Sequence, residues 1–220
     1  MQEGKGNADE KRVSAEQVLT TLAQRWRGAA TLEYHSRLVL SHQGEPGLRG
    51  ELRVRLRRPN LARVEVTVDK PEFCCLRVCD GRVIWHRGQG TPLRPAVTRQ
   101  QSFRGELMAS IPHPLDEASY SVDQFLARWP FLLTGADVER TARRHREKGR
   151  EIFTVTQTQG TSRDTLTVDA KTYAPLLLVR VGDHGGTIQE LLREEFLSVG
   201  MAGALSPSLF RWNPEDEARQ

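Results

Sequence analysis

Three cysteines crowd into the stretch Cys74-Cys75-Leu76-Arg77-Val78-Cys79, the densest group of reactive side chains in the chain. Their spacing does not suit shared chemistry. On a strand, Cys74 and Cys75 point to opposite faces, while Cys75 and Cys79 share one. At 3.3 Å per residue the latter pair sits about 13 Å apart, too far for a disulfide or for two ligands of one zinc. The count is also odd, which leaves no complete disulfide framework. The thiols read as small buried hydrophobes, and no metal is expected. The six histidines are dispersed. His113 and Asp116 fall in a His-Pro-Leu-Asp loop that gives a weak dyad, and Asp116-Glu117 pairs two carboxylates without a scaffold to fix them for acid–base work. His35, His42 and His86 fall on strands or turns. There is no phosphate loop, Gly-x-Ser-x-Gly, His-Glu-x-x-His or Cys-x-x-Cys. The residues therefore suggest no catalytic group, no cofactor and a protein that is not an enzyme.

The remaining reactive feature is arginine. Arg53, Arg55 and Arg57 alternate along one strand face, and the chain is basic, with a formal net charge of +4 and a pI near 9.2. Such a row could follow a nucleic-acid backbone if stacking aromatics lay beside it. Tyr34, Trp85 and Trp26 belong instead to the apolar face or its helix, and Glu51 and Glu65 dilute the row. Docking to anionic head groups or to an acidic protein fits it better than nucleic acid does.

The elements that carry these residues are strands. Residues 50–87 read as four consecutive antiparallel strands, with corners at Pro59-Asn60, Asp69–Glu72 and Asp80-Gly81. Leu52, Val54 and Leu56 face one way and Glu51, Arg53, Arg55 and Arg57 the other. Ala62, Val64, Val66 and Val68 repeat the pattern against Arg63, Glu65 and Thr67, so cross-strand Arg–Glu pairs are expected outside. Val83 and Trp85 continue it. Before this run, Ser14-Ala-Glu-Gln17 is a capping box that opens a helix to Gly28, with Val13 and Val18 placed as a staple and Val18, Leu19, Leu22 and Trp26 as its apolar stripe. Leu32 to Leu40 alternates with even positions inward, and Gln43–Gly47 is a hairpin loop. Residues 121–133 hold Phe125, Leu126, Trp129, Phe131, Leu132 and Leu133 around Pro130, greasy on more than one side. This segment suits a lid over a cavity and a plain core helix equally. Strands return at 138–144, 152–159, 164–169, 176–181 and 187–199, and a short piece at 208–212 ends the fold.

With 220 residues, no internal repeat and no strong boundary, one domain is expected over 14–214, with a flexible tether at 1–13 and a charged tail at 215–220. No apolar run reaches the roughly 18 residues of a membrane span. Met1-Gln2-Glu3-Gly4-Lys5 lacks the apolar core of a leader. The polar start fits a mature chain whose leader has been removed slightly better than a cytoplasmic protein.

The order helix, meander, apolar lid, meander resembles the outer-membrane lipoprotein carrier family, LolA and its relatives. The local match is closest at Gly50-Glu-Leu-Arg-Val-Arg-Leu-Arg-Arg-Pro-Asn-Leu61, a glycine-started strand that ends in an Arg-Pro-Asn-Leu corner. Val78-Cys-Asp-Gly-Arg-Val-Ile-Trp85 is similar to the family's Val-x-Asp-Gly-x-x-x-Trp hairpin. Leu166-Thr-Val-Asp169 with Thr172 and Pro175 is similar to its late hairpin, and Leu209-Phe210-Arg-Trp-Asn-Pro214 to its terminal strand. The resemblance implies an α+β fold: a half-open antiparallel β-barrel, a curved meander with an N-terminal helix and lid helices over an apolar cavity. It implies a periplasmic or cell-envelope monomer that binds lipid or lipoprotein acyl chains. Leu52, Val54, Leu56, Val64, Val66 and Trp85 would line the cavity, and Phe125, Leu126 and Trp129 the lid. Arg58 would point inward and bond the lid, a role shared in its position with a corner arginine that reaches solvent. An envelope sensor or protein-interaction module is the alternative use of the same fold.

Overall fold

The computed structural model describes residues 11–42, 45–58, 61–69, 75–80, 84–88, 94–95, 138–184, 186–201 and 203–211. The chain order is β1 (Lys11–Val13), α1 (Ala15–Gly28), β2 (Thr31–His42), β3 (Glu45–Arg57), β4 (Leu61–Val68), β5 (Cys75–Asp80), β6 (Ile84–Gly88), β7 (Arg94–Pro95), β8 (Glu139–Glu147), β9 (Arg150–Gln159), β10 (Ser162–Asp169), β11 (Pro175–His184), β12 (Thr187–Gly200) and a 3-10 helix (Pro207–Phe210). Among the described residues the strands form one twelve-stranded sheet in the order β1-β8-β9-β10-β11-β12-β2-β3-β4-β5-β6-β7. Every pairing is antiparallel. Two meanders, β2–β7 and β8–β12, are thus joined where β12 pairs with β2. The sheet is open, since β1 and β7 are its edges. Lys11–Val13, expected in a tether, adds β1 beside β8. Cys74, Phe125, Leu126 and Trp129 lie outside the described residues.

Local chemistry accounts for the boundaries. Ser14 Oγ accepts from Gln17 N at 3.2 Å and caps α1, which satisfies one of the four orphan N–H groups of its first turn. The other end falls at Gly28 as expected: Gly28 is the last helical residue, and Ala29 is extended at φ −72° and ψ 128°, its N–H bonded to Trp26 O. The β8–β9 turn places Lys148 at φ 48° and Gly149 at φ 80°, the two positive values of a type I′ hairpin. The loop expected at Gln43–Gly47 is shorter, because Glu45 already pairs with His42. Pro46 is tolerated in β3 because β4 begins pairing only at Gly50, leaving that stretch of β3 as an edge. The piece expected as a terminal strand is instead the 3-10 helix. Ser206 caps it and Pro207 opens it, a start signal for a helical turn.

One face of the sheet, called inner here, carries the core together with α1. Val18, Leu19, Leu22 and Trp26 pack with Leu32, Tyr34, Leu38, Leu52, Val54 and Leu56. Trp26 stacks on Tyr34 at 6.2 Å, and Tyr34 meets Phe196 at 5.6 Å. Arg25 Nη1 donates to Thr172 O at 2.7 Å, and its guanidinium lies 4.8 Å above the Tyr173 ring, which ties α1 to the β10–β11 turn. On β5 the outer face is not polar throughout. Leu76 pairs with Glu65 and Val78 with Arg63, so both face outward, yet they are buried. The 3-10 helix packs against β4 and β5 and buries Phe210 to 1% exposure.

Candidate functional site

Register turns the inner face into a stack of rungs. The first is Leu32–Leu56–Ala62, then Tyr34–Val54–Val64, then Ser36–Leu52–Val66. The expected cavity residues Leu52, Val54, Leu56, Val64 and Val66 all fall here, and each is buried in the core cluster. Trp85 lies in β6 in register with Val78. The inner wall of β2–β4 is therefore apolar apart from Ser36 and the Tyr34 hydroxyl.

Gly50 fixes how closely β4 approaches that wall. A Cβ there would collide with the Thr67 carbonyl and with Val68, whose Cα would lie at 2.8 Å. The glycine that starts the resembling motif thus has a steric reason to be glycine.

Arg58 follows Arg57 at the corner and is partly buried. Its Nε donates to Ala29 O at 3.0 Å, and its Nη2 bonds Arg27 O. Its backbone N–H reaches Ala30 O at 3.0 Å. Helix carbonyls in the last turn lack intrahelical partners, and a guanidinium there also suits the helix dipole. These bonds tie the corner to the end of α1.

Two polar features on the inner face escaped sequence reasoning. Glu194 is 4% exposed and sits between Leu178 and Leu38 in register. Ser36 Oγ donates to its Oε1 at 2.6 Å. Burial pushes its pKa up to about 7, against the opposing pull of the Ser36 bond, because a low-dielectric site disfavours the charged form. Burial, and secondarily the charge of Glu194, raises the Tyr34 phenol well above its ordinary value.

The second feature is a polar rung, Arg140–Gln157–Asp164–Arg180, spanning β8 to β11. Arg140 Nε donates to Gln157 Oε1 at 3.0 Å. Arg180 grips Asp164 with two bonds, Nε to Oδ1 at 2.7 Å and Nη2 to Oδ2 at 3.1 Å, the bidentate geometry of a strong pair. The next rung along the same face is apolar: Ala142–Val155–Leu166–Leu178. A cavity of about 210 Å³ opens at the polar rung, lined by Gln157, Gln159, Ser162, Asp164 and Arg180. One signal was available: Asp164 is in phase with Leu166 and Val168, and Glu194 with Leu192 and Phe196.

The outer face holds the expected Arg–Glu pairs. Arg55 bonds Glu33 at 2.7 Å and Glu65 at 3.0 Å, Arg63 also bonds Glu65, and Arg53 lies 3.5 Å from Glu51. His35 Nε2 is 2.9 Å from Glu51 Oε2, and that bond holds the Glu51 carboxyl below its ordinary range. Arg57 Nη1 donates to Leu205 O at 3.1 Å, and Thr31 Oγ1 donates to Gly203 O at 2.7 Å. Each arginine of the row thus has a partner within the chain.

No family model matches the sequence, and no curated protein matches it. Solved structures similar to it include MucB, 17% identical, with 91% of this chain and 63% of that one covered at a TM-score of 0.48. MucB in complex with MucA(peri) is 16% identical, with 92% and 60% covered at 0.42. A LolA superfamily protein from Nitrosomonas europaea is 12% identical, with 91% and 98% covered at 0.39. The chain spans about three-fifths of MucB. At such identities and TM-scores the likeness carries no argument about this chain.

Proposed function

We propose that the chain is a non-enzymatic protein of the bacterial cell envelope, acting in the periplasm, that holds acyl chains of a lipid or lipoprotein anchor against the inner face of β2–β4. The observation that carries this reading is the division of faces. Leu32, Leu52, Val54, Leu56, Val64 and Val66 form a continuous apolar wall inside, while the arginines outside are bonded to carboxylates and carbonyls of the same chain. An acyl chain laid on that wall gains about 0.8 kcal/mol for each methylene removed from water, so ten methylenes contribute about 8 kcal/mol before the cost of association. The resemblance to the LolA family at Gly50–Leu61 points to the same use. In this reading Phe125, Leu126 and Trp129 supply the cover of the wall, and Arg58 couples the corner to α1; Trp85, in register with the outward Val78, takes no part in it.

The test is native mass spectrometry, with organic extraction, of the protein purified from a membrane-containing bacterial host. Acyl lipid bound to folded protein is the expected result. Folded protein free of lipid, with a specific envelope protein captured in its place, would favour an interaction module built on the same sheet.

A further inference from the structure

The cavity at the polar rung differs from the apolar wall in what it offers. Arg180 spends Nε and one hydrogen of Nη2 on Asp164, and its Nη1 has no partner among the described residues. Gln157 accepts from Arg140 through Oε1, so its amide N–H groups remain to donate. Gln159 and Ser162 add further hydrogen-bonding groups with no described side-chain partner.

Charge narrows the ligand. Asp164, 7% exposed, offsets Arg180 within the same cavity. An anion drawn to Arg180 would also face the Asp164 carboxylate, and like charges at this range repel. The site suits an uncharged acceptor. Size narrows it again: about 210 Å³ is below the roughly 300–1,000 Å³ that encloses a whole drug-sized ligand, so the cavity takes one group of a larger molecule. Its neighbour on the same face is the apolar rung Val155–Leu166–Leu178.

We infer that the cavity at Gln157, Asp164 and Arg180 is a carbonyl-binding subsite that takes the ester group joining an acyl chain to glycerol. The inference rests on the acyl-binding reading above. It assigns the polar end of the ligand to β9–β11 and leaves the chain to the apolar face. Arg180 Nη1 and the Gln157 amide donate to the ester carbonyl, while Asp164 holds the guanidinium in place.

The test compares two probes with the same chain, monopalmitin and 1-O-hexadecylglycerol, the second having an ether where the first has an ester carbonyl. Affinities are measured by displacement of a fluorescent fatty acid. The wild type should bind the ester about tenfold more tightly, about 1.4 kcal/mol. Arg180→Lys keeps a cation beside Asp164 but removes the guanidinium donors. It should bring the ratio near one while leaving ether binding unchanged. Gln157→Glu keeps an acceptor for Arg140 but removes the amide donors, and should also lower the ratio. Equal binding of both probes by the wild type, or an unchanged ratio in both variants, overturns the subsite and leaves acyl binding standing. Failure of both probes to bind overturns both.

Discussion

Replacing Glu194 by glutamine should change how stability depends on pH. Glu194 is 4% exposed among Leu38, Leu178, Leu192 and Phe196, with Ser36 as its hydrogen-bond donor. Its folded-state pKa is about 7, against an ordinary 4.5. Between those values the native state keeps a proton that the unfolded chain releases, so stability falls as pH rises through the window. The contribution is whole below pH 4.5 and lost above about pH 7. At about 1.4 kcal/mol per pH unit the step amounts to about 3 kcal/mol. Glu51 and Asp169 shift the other way, the latter because bonds from Thr172 and Lys171 outweigh its burial. Their contributions are lost only as pH falls below the ordinary carboxylate range, outside this window. Glu194→Gln keeps the shape and an acceptor for Ser36 but cannot ionise. Urea unfolding of both proteins from pH 4.5 to 8 should show the variant gaining about 3 kcal/mol relative to wild type. Parallel curves, within about 0.5 kcal/mol, would refute the argument, since every other titrating group is common to both proteins.

Gly50→Ala should cost about 1–3 kcal/mol in urea unfolding, because β4 must move off β3 to admit a methyl group; an unchanged midpoint would remove the steric explanation. Arg58→Ala should cost about 1–3 kcal/mol by leaving the end of α1 without its guanidinium. Altered lipid release at constant stability would assign Arg58 to a cover instead. Phe210→Ala should cost about 3–5 kcal/mol, since the ring is 1% exposed in the segment over β4 and β5. A smaller loss would mean that segment contributes little to the fold.

Alternation made β2–β4 readable from sequence. Leu52, Val54 and Leu56 are separated by charged residues whose partners, Glu33 and Glu65, sit on neighbouring strands. The cap at Ser14 was readable for the same reason, since its bond is local. The inner polar residues were not, and the cause lies in β11 and β12. Leu176-Leu177-Leu178-Val179 has no alternation to follow, and register shifts fall between Arg180 and Val181 and between Phe196 and Ser198. A shift of one residue exchanges the faces of a strand, so the sequence alone assigns Glu194 and Arg180 to neither face. The burial of Leu76 and Val78 on the outer face of β5 was not readable, because their cover comes from a segment more than a hundred residues later in the chain.

Photolabelling tests the central claim most directly. A palmitic acid carrying a diazirine near its terminal methyl, bound to the protein and irradiated, marks whatever touches the chain. The account predicts label on the inner-face residues of β2–β4, chiefly Leu52, Val54, Val64 and Val66, competed away by excess unlabelled palmitate. Label confined to the exposed Ile188 and Leu197 of β12, or spread evenly and indifferent to competition, would contradict it.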